Sequence, residues 1–97
     1  MKKTDKSIFG TSFHFITIIA SVEQLKKILG EPFKGTDGDH YRWNMETDDG
    51  NVFTIYDWAY IRPLEETEMI EWHIGASNEM NALKGKLEIK TSINNLK

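Results

Sequence analysis

Residues 40–58 read HYRWNMETDDGNVFTIYDW, and this stretch decides the fold. Apolar and polar residues alternate along residues 40–47, which is typical of a strand that buries one face. The apolar side of that strand carries Tyr41, Trp43 and Met45. An Asp-Gly turn follows, and a β-rich run begins directly after it. The stretch therefore predicts an antiparallel hairpin whose second strand covers residues 52–58.

Two further runs favour strands of the same sheet. Residues 8–20 are rich in β-branched and aromatic residues and predict a strand that is partly covered on both faces. Residues 69–75 alternate, and their apolar side is expected to join that of the hairpin. The pattern does not decide which side of residues 52–58 faces the core, because either set of alternate residues would fit there. One set is Phe53, Ile55 and Asp57, and the other is Val52, Thr54, Tyr56 and Trp58.

Two helices are predicted from their end signals. The first begins after Ser21, because Gln24 completes a capping-box pattern with it, and Gly30 ends that helix. The second takes Ser77 as its N-cap and continues to about residue 86 or 88.

Both ends of the chain carry weaker signals. Residues 1–7 are polar and lysine-rich, so we expect a flexible terminus. The sequence does not decide whether the tail at residues 86–97 is helix, strand or disordered. Gly85 weakens a helix, and the apolar residues that follow it also fit a period of two.

A chain of 97 residues has room for one hydrophobic core. The predicted elements follow the order β-α-β-β-β-α. We therefore expect a single α+β domain over residues 1–97, with a mainly antiparallel sheet and two helices packed on one face.

Composition excludes several classes of protein. The chain has no cysteine, which excludes disulfides, thiolate metal sites and a thiol nucleophile. The apolar run over residues 13–20 is too short and too polar for a signal peptide or a membrane span. The sequence therefore predicts a cytoplasmic protein that does not associate with membranes.

The net charge of −3 is unevenly distributed. Residues 35–79 hold eleven carboxylates and only two arginines, while both ends of the chain are lysine-rich. Binding to duplex nucleic acid rests on basic residues that neutralise phosphates, so this middle segment argues against a nucleic-acid duplex as partner. An acidic surface favours a basic partner instead.

The polar side of the predicted sheet is the first candidate binding surface. Arg42 from the hairpin and Glu71 and His73 from the third strand are expected to share it. Such a face is often no more than a solvated sheet surface. Arginine and histidine beside aromatic rings are also suited to stacking and to anionic groups, so a binding surface is the alternative interpretation.

An aromatic tract supplies the other candidates. Tyrosine, tryptophan and arginine dominate interface hot spots, and residues 56–62 are rich in them. The complete set of candidate ligand-binding or partner-binding residues is Arg42, Tyr56, Asp57, Trp58, Tyr60, Arg62, Glu71, Trp72 and His73. Asp57 is unfavourable within a strand, so we expect it to cap a turn or to pair with Arg42, His73 or a backbone N–H.

Catalytic and cofactor motifs are not found in the sequence. No serine or threonine lies in a nucleophile elbow, and the three histidines lack metal-binding spacing. No glycine-rich loop precedes a helix in the manner of a phosphate-binding loop. We therefore predict no catalytic residues, no metal and no cofactor. The alternative is a small enzyme in which His73, oriented by Glu71 or Asp57, is the general base on a phosphate-containing or nucleotide substrate.

Three sequence blocks carry a resemblance to a known family. They are Gly30-Glu31-Pro32, Thr54-Ile55-Tyr56-Asp57-Trp58 and Trp72-His73-Ile74-Gly75. In this order the blocks resemble a widespread family of small, mostly uncharacterised proteins encoded by bacteriophages and prophages, over roughly residues 9–83. The chain departs from the family pattern at Ala59, where lysine is more usual, and at Ala76, where a second glycine is common.

The resemblance implies a viral accessory protein made in the host bacterial cytoplasm. Small phage proteins of this sort often act stoichiometrically against a host defence or another host process. Two mechanisms remain open: inhibition of a host protein through the acidic middle and the Tyr60 and Arg62 region, or sequestration of a signalling nucleotide by Arg42, Trp58, Tyr60 and His73. Exposed aromatics on a sheet also predict self-association as a homodimer or higher homo-oligomer.

Overall fold

The computed structural model describes residues 1–33, 41–57 and 65–96, which form an α+β fold. In chain order the elements are β1 (Lys2–Lys3), β2 (Ser12–Ala20), α1 (Val22–Leu29), β3 (Arg42–Glu46), β4 (Val52–Asp57), β5 (Ile70–Ala76) and α2 (Glu79–Asn94). All strand pairs are antiparallel, and the strands are ordered β1-β3-β4-β5-β2. Both helices pack on one face, which confirms the predicted fold class.

The core lies between the helices and one side of the sheet. Trp43 in β3 stands opposite Ile55 in β4, and Ile55 in turn stands opposite Ile74 in β5. This register settles the phase of β4, because Phe53, Ile55 and Asp57 face the helices and are buried. Trp43 and Trp72 pack edge to face at 5.6 Å between ring centroids. The predicted hairpin is confirmed.

The first helix follows its sequence signals. The Ser21 hydroxyl accepts a hydrogen bond from the Gln24 backbone N–H, and the Gln24 side chain accepts one from the Ser21 N–H. Gly30 ends the helix with φ of +85°, a conformation that favours glycine. The predicted capping box and helix end are therefore confirmed.

The second helix departs from its prediction at both ends. Asn78 is the N-cap in place of Ser77, and its side chain accepts a hydrogen bond from the Asn81 N–H. The helix continues through Gly85 to Asn94, so the tail that the sequence left open is helical as far as that residue. The reason is packing, because Gly85 lies directly against the Phe53 ring.

The first residues of the chain lie against the sheet, and the flexibility expected for residues 1–7 stays a prediction. Lys2–Lys3 forms an edge strand on β3, and the Thr4 N–H continues the pairing by donating to Asn44 O at 3.1 Å. Residues 4–11, here called the crossing segment, then lead from β1 at one edge of the sheet to β2 at the other. The strand expected from residue 8 starts only at Ser12, because residues 8–11 form a turn with Gly10 at φ of +87°.

Candidate functional site

The sheet surface turned away from the helices, here called the open face, gathers the polar candidates. The register places on it Thr17 and Ile19 of β2, Arg42, Asn44 and Glu46 of β3, Val52, Thr54 and Tyr56 of β4, and Glu71, His73 and Gly75 of β5. Three of the nine residues predicted from sequence therefore meet at its centre, namely Arg42, Tyr56 and His73. Glu71 lies on the same face, toward the β2 edge.

A continuous row of side chains in contact with one another crosses four strands of the open face. The Arg42 guanidinium lies over the Tyr56 ring at 5.5 Å, and Tyr56 contacts His73 edge to face at 5.7 Å. His73 in turn stacks on Phe13 at 3.9 Å with the two rings 9° from parallel. Phe13 then contacts Phe15 at 5.2 Å. We call these five residues the aromatic row.

The end of the aromatic row at β2 is built on an irregular backbone. The pairing of β2 with β5 shifts register between Phe13 and Ile16, which marks a bulge. Within it Phe15 has φ of +63°, the left-handed region that a bulky residue rarely adopts. Its side chain is 87% exposed. The fold thus holds a large apolar ring in solvent at the cost of local backbone strain.

A second exposed phenylalanine lies in the crossing segment. Phe9 is 96% exposed, and its backbone N–H donates a hydrogen bond to the hydroxyl of Ser7, two residues earlier. The turn at residues 8–11 is closed by Thr11, whose N–H and hydroxyl both donate to Ile8 O. Phe9 is therefore presented by a hydrogen-bonded turn.

A cavity of about 310 Å³ separates the crossing segment from the open face. Its sheet side is formed by Arg42, Thr54, Tyr56 and Gly75, and its other side by residues 8–12. A Cβ at residue 75 would lie 2.6 Å from the Thr54 hydroxyl, so only glycine permits this close packing. The cavity thus combines one cation, two aromatic residues and several polar groups.

The surroundings of His73 favour the neutral form of its imidazole. Burial lowers the pKa of the His73 imidazole, and the nearby Glu71 carboxylate opposes that shift. Glu71 itself accepts a hydrogen bond from the Thr17 hydroxyl at 3.3 Å. Arg42 carries the permanent positive charge of the aromatic row.

Two sequence-predicted site residues lie on the opposite side of the sheet. Asp57 is fully buried under the helices, and its carboxylate accepts a hydrogen bond from the Tyr41 N–H at 2.8 Å. This confirms the expectation of a backbone partner and separates Asp57 from His73. Trp72 is also fully buried, and its indole N–H donates to Ala20 O at 2.9 Å. Of the two orienting groups hypothesised for a His73 base, only Glu71 shares its face.

Three predicted residues, Trp58, Tyr60 and Arg62, lie outside the described residues. The structure adds Phe9, Phe13 and Phe15, which sequence reasoning did not include in the site. The two rings of the Phe-His-Phe stretch at residues 13–15 are visible in the sequence, but the bulge that turns Phe15 outward has no sequence signal.

None of the family models, curated proteins or solved structures compared with this chain matches it. Within residues 1–33, 41–57 and 65–96, no group of three or more His, Cys, Asp or Glu side chains is placed to hold a metal ion. Neither helix described above is long and apolar enough to cross a membrane.

Proposed function

We propose that this protein is a phage-type accessory protein that acts by stoichiometric binding in the host bacterial cytoplasm. The observation that carries the proposal is the pair of nearly fully exposed rings, Phe9 and Phe15, one of them on strained backbone. Exposed aromatics beside an arginine are typical of interface hot spots. The resemblance of its three sequence blocks to phage-encoded proteins supplies the context, in which binding would counter a host defence or another host process.

A host protein is the partner that the open face suits best. Phe9 and Phe15 project from the fold and are suited to insert into pockets of a partner, since large rings contribute most when a partner buries them fully. The side chains around them are a mixture of polar and apolar groups, as in the rim of a protein interface. No bond has to be made or broken for such a protein to inhibit its target.

Affinity capture from a bacterial host tests this proposal. Tagged wild-type protein is expected to retain one host protein in near-equimolar amount, and the F9S/F15S variant is expected to lose it. Leu87→Ser is the matched control, because Leu87 is 64% exposed on α2, away from the open face. The proposal fails if F9S/F15S retains the same protein in the same amount, or if L87S loses it equally.

A signalling nucleotide is a second candidate ligand, favoured by the cavity beside Arg42. Its volume of about 310 Å³ is at the lower end for a small-molecule site. Arg42 over the Tyr56 ring offers a cation for phosphate and an aromatic surface for a base. A panel of cyclic nucleotides should then raise the melting temperature of the wild type and leave that of R42Q unchanged. The absence of any shift in the wild type would contradict this candidate.

A further inference from the structure

The free edge of β2 differs from the other surfaces of the fold. Among the described residues β2 pairs only with β5, so one side of its backbone has no strand partner. Natural proteins usually protect such an edge with charge, proline or a covering element. Residues 16–20 lie beyond the bulge in regular register, and Ile19 there is 64% exposed.

A groove of about 410 Å³ lies along this edge. Thr17, Ile18, Ile19 and Glu71 line it from the sheet, and Lys86, Lys90, Ile93 and Asn94 line it from α2. The groove therefore joins a strand edge to a helix surface. A segment lying in it would touch both layers of the fold.

The helix side of the groove is basic. Lys86 and Lys90 form no ion pair with any other residue in the described part of the chain. They are four residues apart on α2, so their positions are separated by about 6 Å along the helix. Alternate residues of a strand are separated by about 6.7 Å, which closely matches this spacing. Two acidic side chains at positions i and i+2 of a strand could therefore meet both lysines.

We propose that the edge of β2 binds an extended segment of a partner protein by adding a strand to the sheet. The segment carries Asp or Glu at two alternate positions, which face Lys86 and Lys90. Its intervening residues are apolar or β-branched and pack beside Ile19. Acidic residues are disfavoured at these intervening positions, because Glu71 lies on the same side of the sheet as Ile19 and would repel them. Main-chain hydrogen bonds supply affinity and the alternate side chains supply specificity.

This inference rests on the proposal that the protein binds another protein, but it concerns a different surface from Phe9 and the Arg42 cavity. A peptide assay can fail while F9S/F15S still loses its host protein, and the reverse can also occur. The two failures are therefore distinguishable.

The probe is the peptide Thr-Ile-Glu-Val-Glu-Ile-Thr-amide with fluorescein coupled to its N-terminal amine, measured by fluorescence anisotropy at low salt. Wild-type protein is expected to bind it at least about tenfold more tightly than the same peptide with both Glu replaced by Lys. A Glu peptide that is N-methylated at the alternate residues whose N–H groups face β2 should not bind, because it cannot form the main-chain ladder.

A charge reversal in the protein provides the decisive control. The K86E/K90E variant should prefer the Lys peptide, and its melting temperature should stay near that of the wild type because neither lysine has an ion partner among the residues that the structure describes. The proposal is overturned if the Glu and Lys peptides bind alike, or if neither binds at millimolar concentration. It is also overturned if sedimentation shows a dimer that excludes the peptide, since the edge would then be occupied by a second copy.

Discussion

At the scale of single residues, Phe15 combines the two properties that point to a function. A phenylalanine at φ of +63° is strained, and a ring that is 87% exposed contributes little burial to the core. Stability alone would favour glycine or asparagine at this position. The site of Phe15 is therefore better explained by an external partner than by the fold.

Substitutions at Phe15 can separate backbone strain from the role of the ring. Phe15→Gly is expected to be more stable than Phe15→Ala by about 1 kcal/mol, because only glycine adopts a left-handed conformation without strain. Both variants lack the ring and should lose partner binding equally. Urea denaturation gives the free energies of unfolding, and equal values for the two variants would contradict the strain.

Protonation of His73 provides a second prediction at this scale. Its pKa is lowered in the fold by burial, so the unfolded chain binds the proton more readily. The free energy of unfolding should therefore decrease as pH falls from about 7.5 to about 5.5, through the ordinary histidine pKa of about 6.5. His73→Gln should reduce that slope. Urea denaturation across this range is the measurement, and an identical slope in both proteins would refute the assignment.

At the scale of elements, α2 shows how tertiary packing overrides local preference. Gly85 should weaken a helix, yet the helix continues for nine residues beyond it, to Asn94. A Cβ at this position would lie 2.7 Å from Phe53 Cγ, so a side chain would separate α2 from the sheet. The close packing of α2 on the sheet therefore stabilises the fold by more than the low helix propensity of glycine destabilises it.

Gly85→Ala places these two effects in opposition. Helix propensity alone would stabilise the variant by about 1 kcal/mol, whereas overpacking against Phe53 costs about 1–3 kcal/mol. We expect net destabilisation, measured as a lower midpoint in urea. Leu87→Ala is the control on the same helix, because Leu87 is exposed and its truncation should change the midpoint little. A more stable G85A would show that the sheet yields to the added methyl group.

The elements that the sequence predicted well are those whose signals are local. Alternation in residues 41–45 identified the core face of β3, and the pairing of Ser21 with Gln24 identified the start of α1. The phase of β4 follows instead from its register with β3 and β5, and α2 continues past Gly85 where that glycine contacts Phe53. That contact is distant in sequence, so no periodicity could reveal it.

The residues of the candidate site also fall into two groups: those placed by local alternation, and those whose position depends on how the strands pair. Arg42 and His73 were assigned to one face because residues two apart in a strand share a side. Asp57 was included for its chemistry and Trp72 for the sequence block that it belongs to, and the register places both in the core, on the apolar side where alternation had already put Trp72. The exposure of Phe15 depends on a bulge in β2, whose position follows from how β2 pairs with β5.

At the scale of the whole molecule, the crossing segment connects the two edges of the sheet. It leaves the β1 edge at Thr4, whose N–H donates to Asn44 O of β3, and reaches the far edge at Ser12, where β2 begins. Along the way it forms one wall of the Arg42 cavity and presents Phe9. The N-terminal residues thus shape the candidate site as well as the edge of the sheet.

Removal of residues 1–6 tests how much the fold depends on this connection. The side chain of Glu46 is only 9% exposed, and the deletion removes its hydrogen bond from the Thr4 hydroxyl and its ion pairs with Lys2 and Lys6. Loss of these partners and of the β1 pairing should lower the free energy of unfolding by about 2–3 kcal/mol. The K2Q/K6Q variant keeps the Thr4 contacts and loses only the charges of two exposed lysines, so it should lose less than about 1 kcal/mol. Urea denaturation of both proteins is the measurement. Equal losses would mean that the lysines, rather than the ordered strand, stabilise this edge.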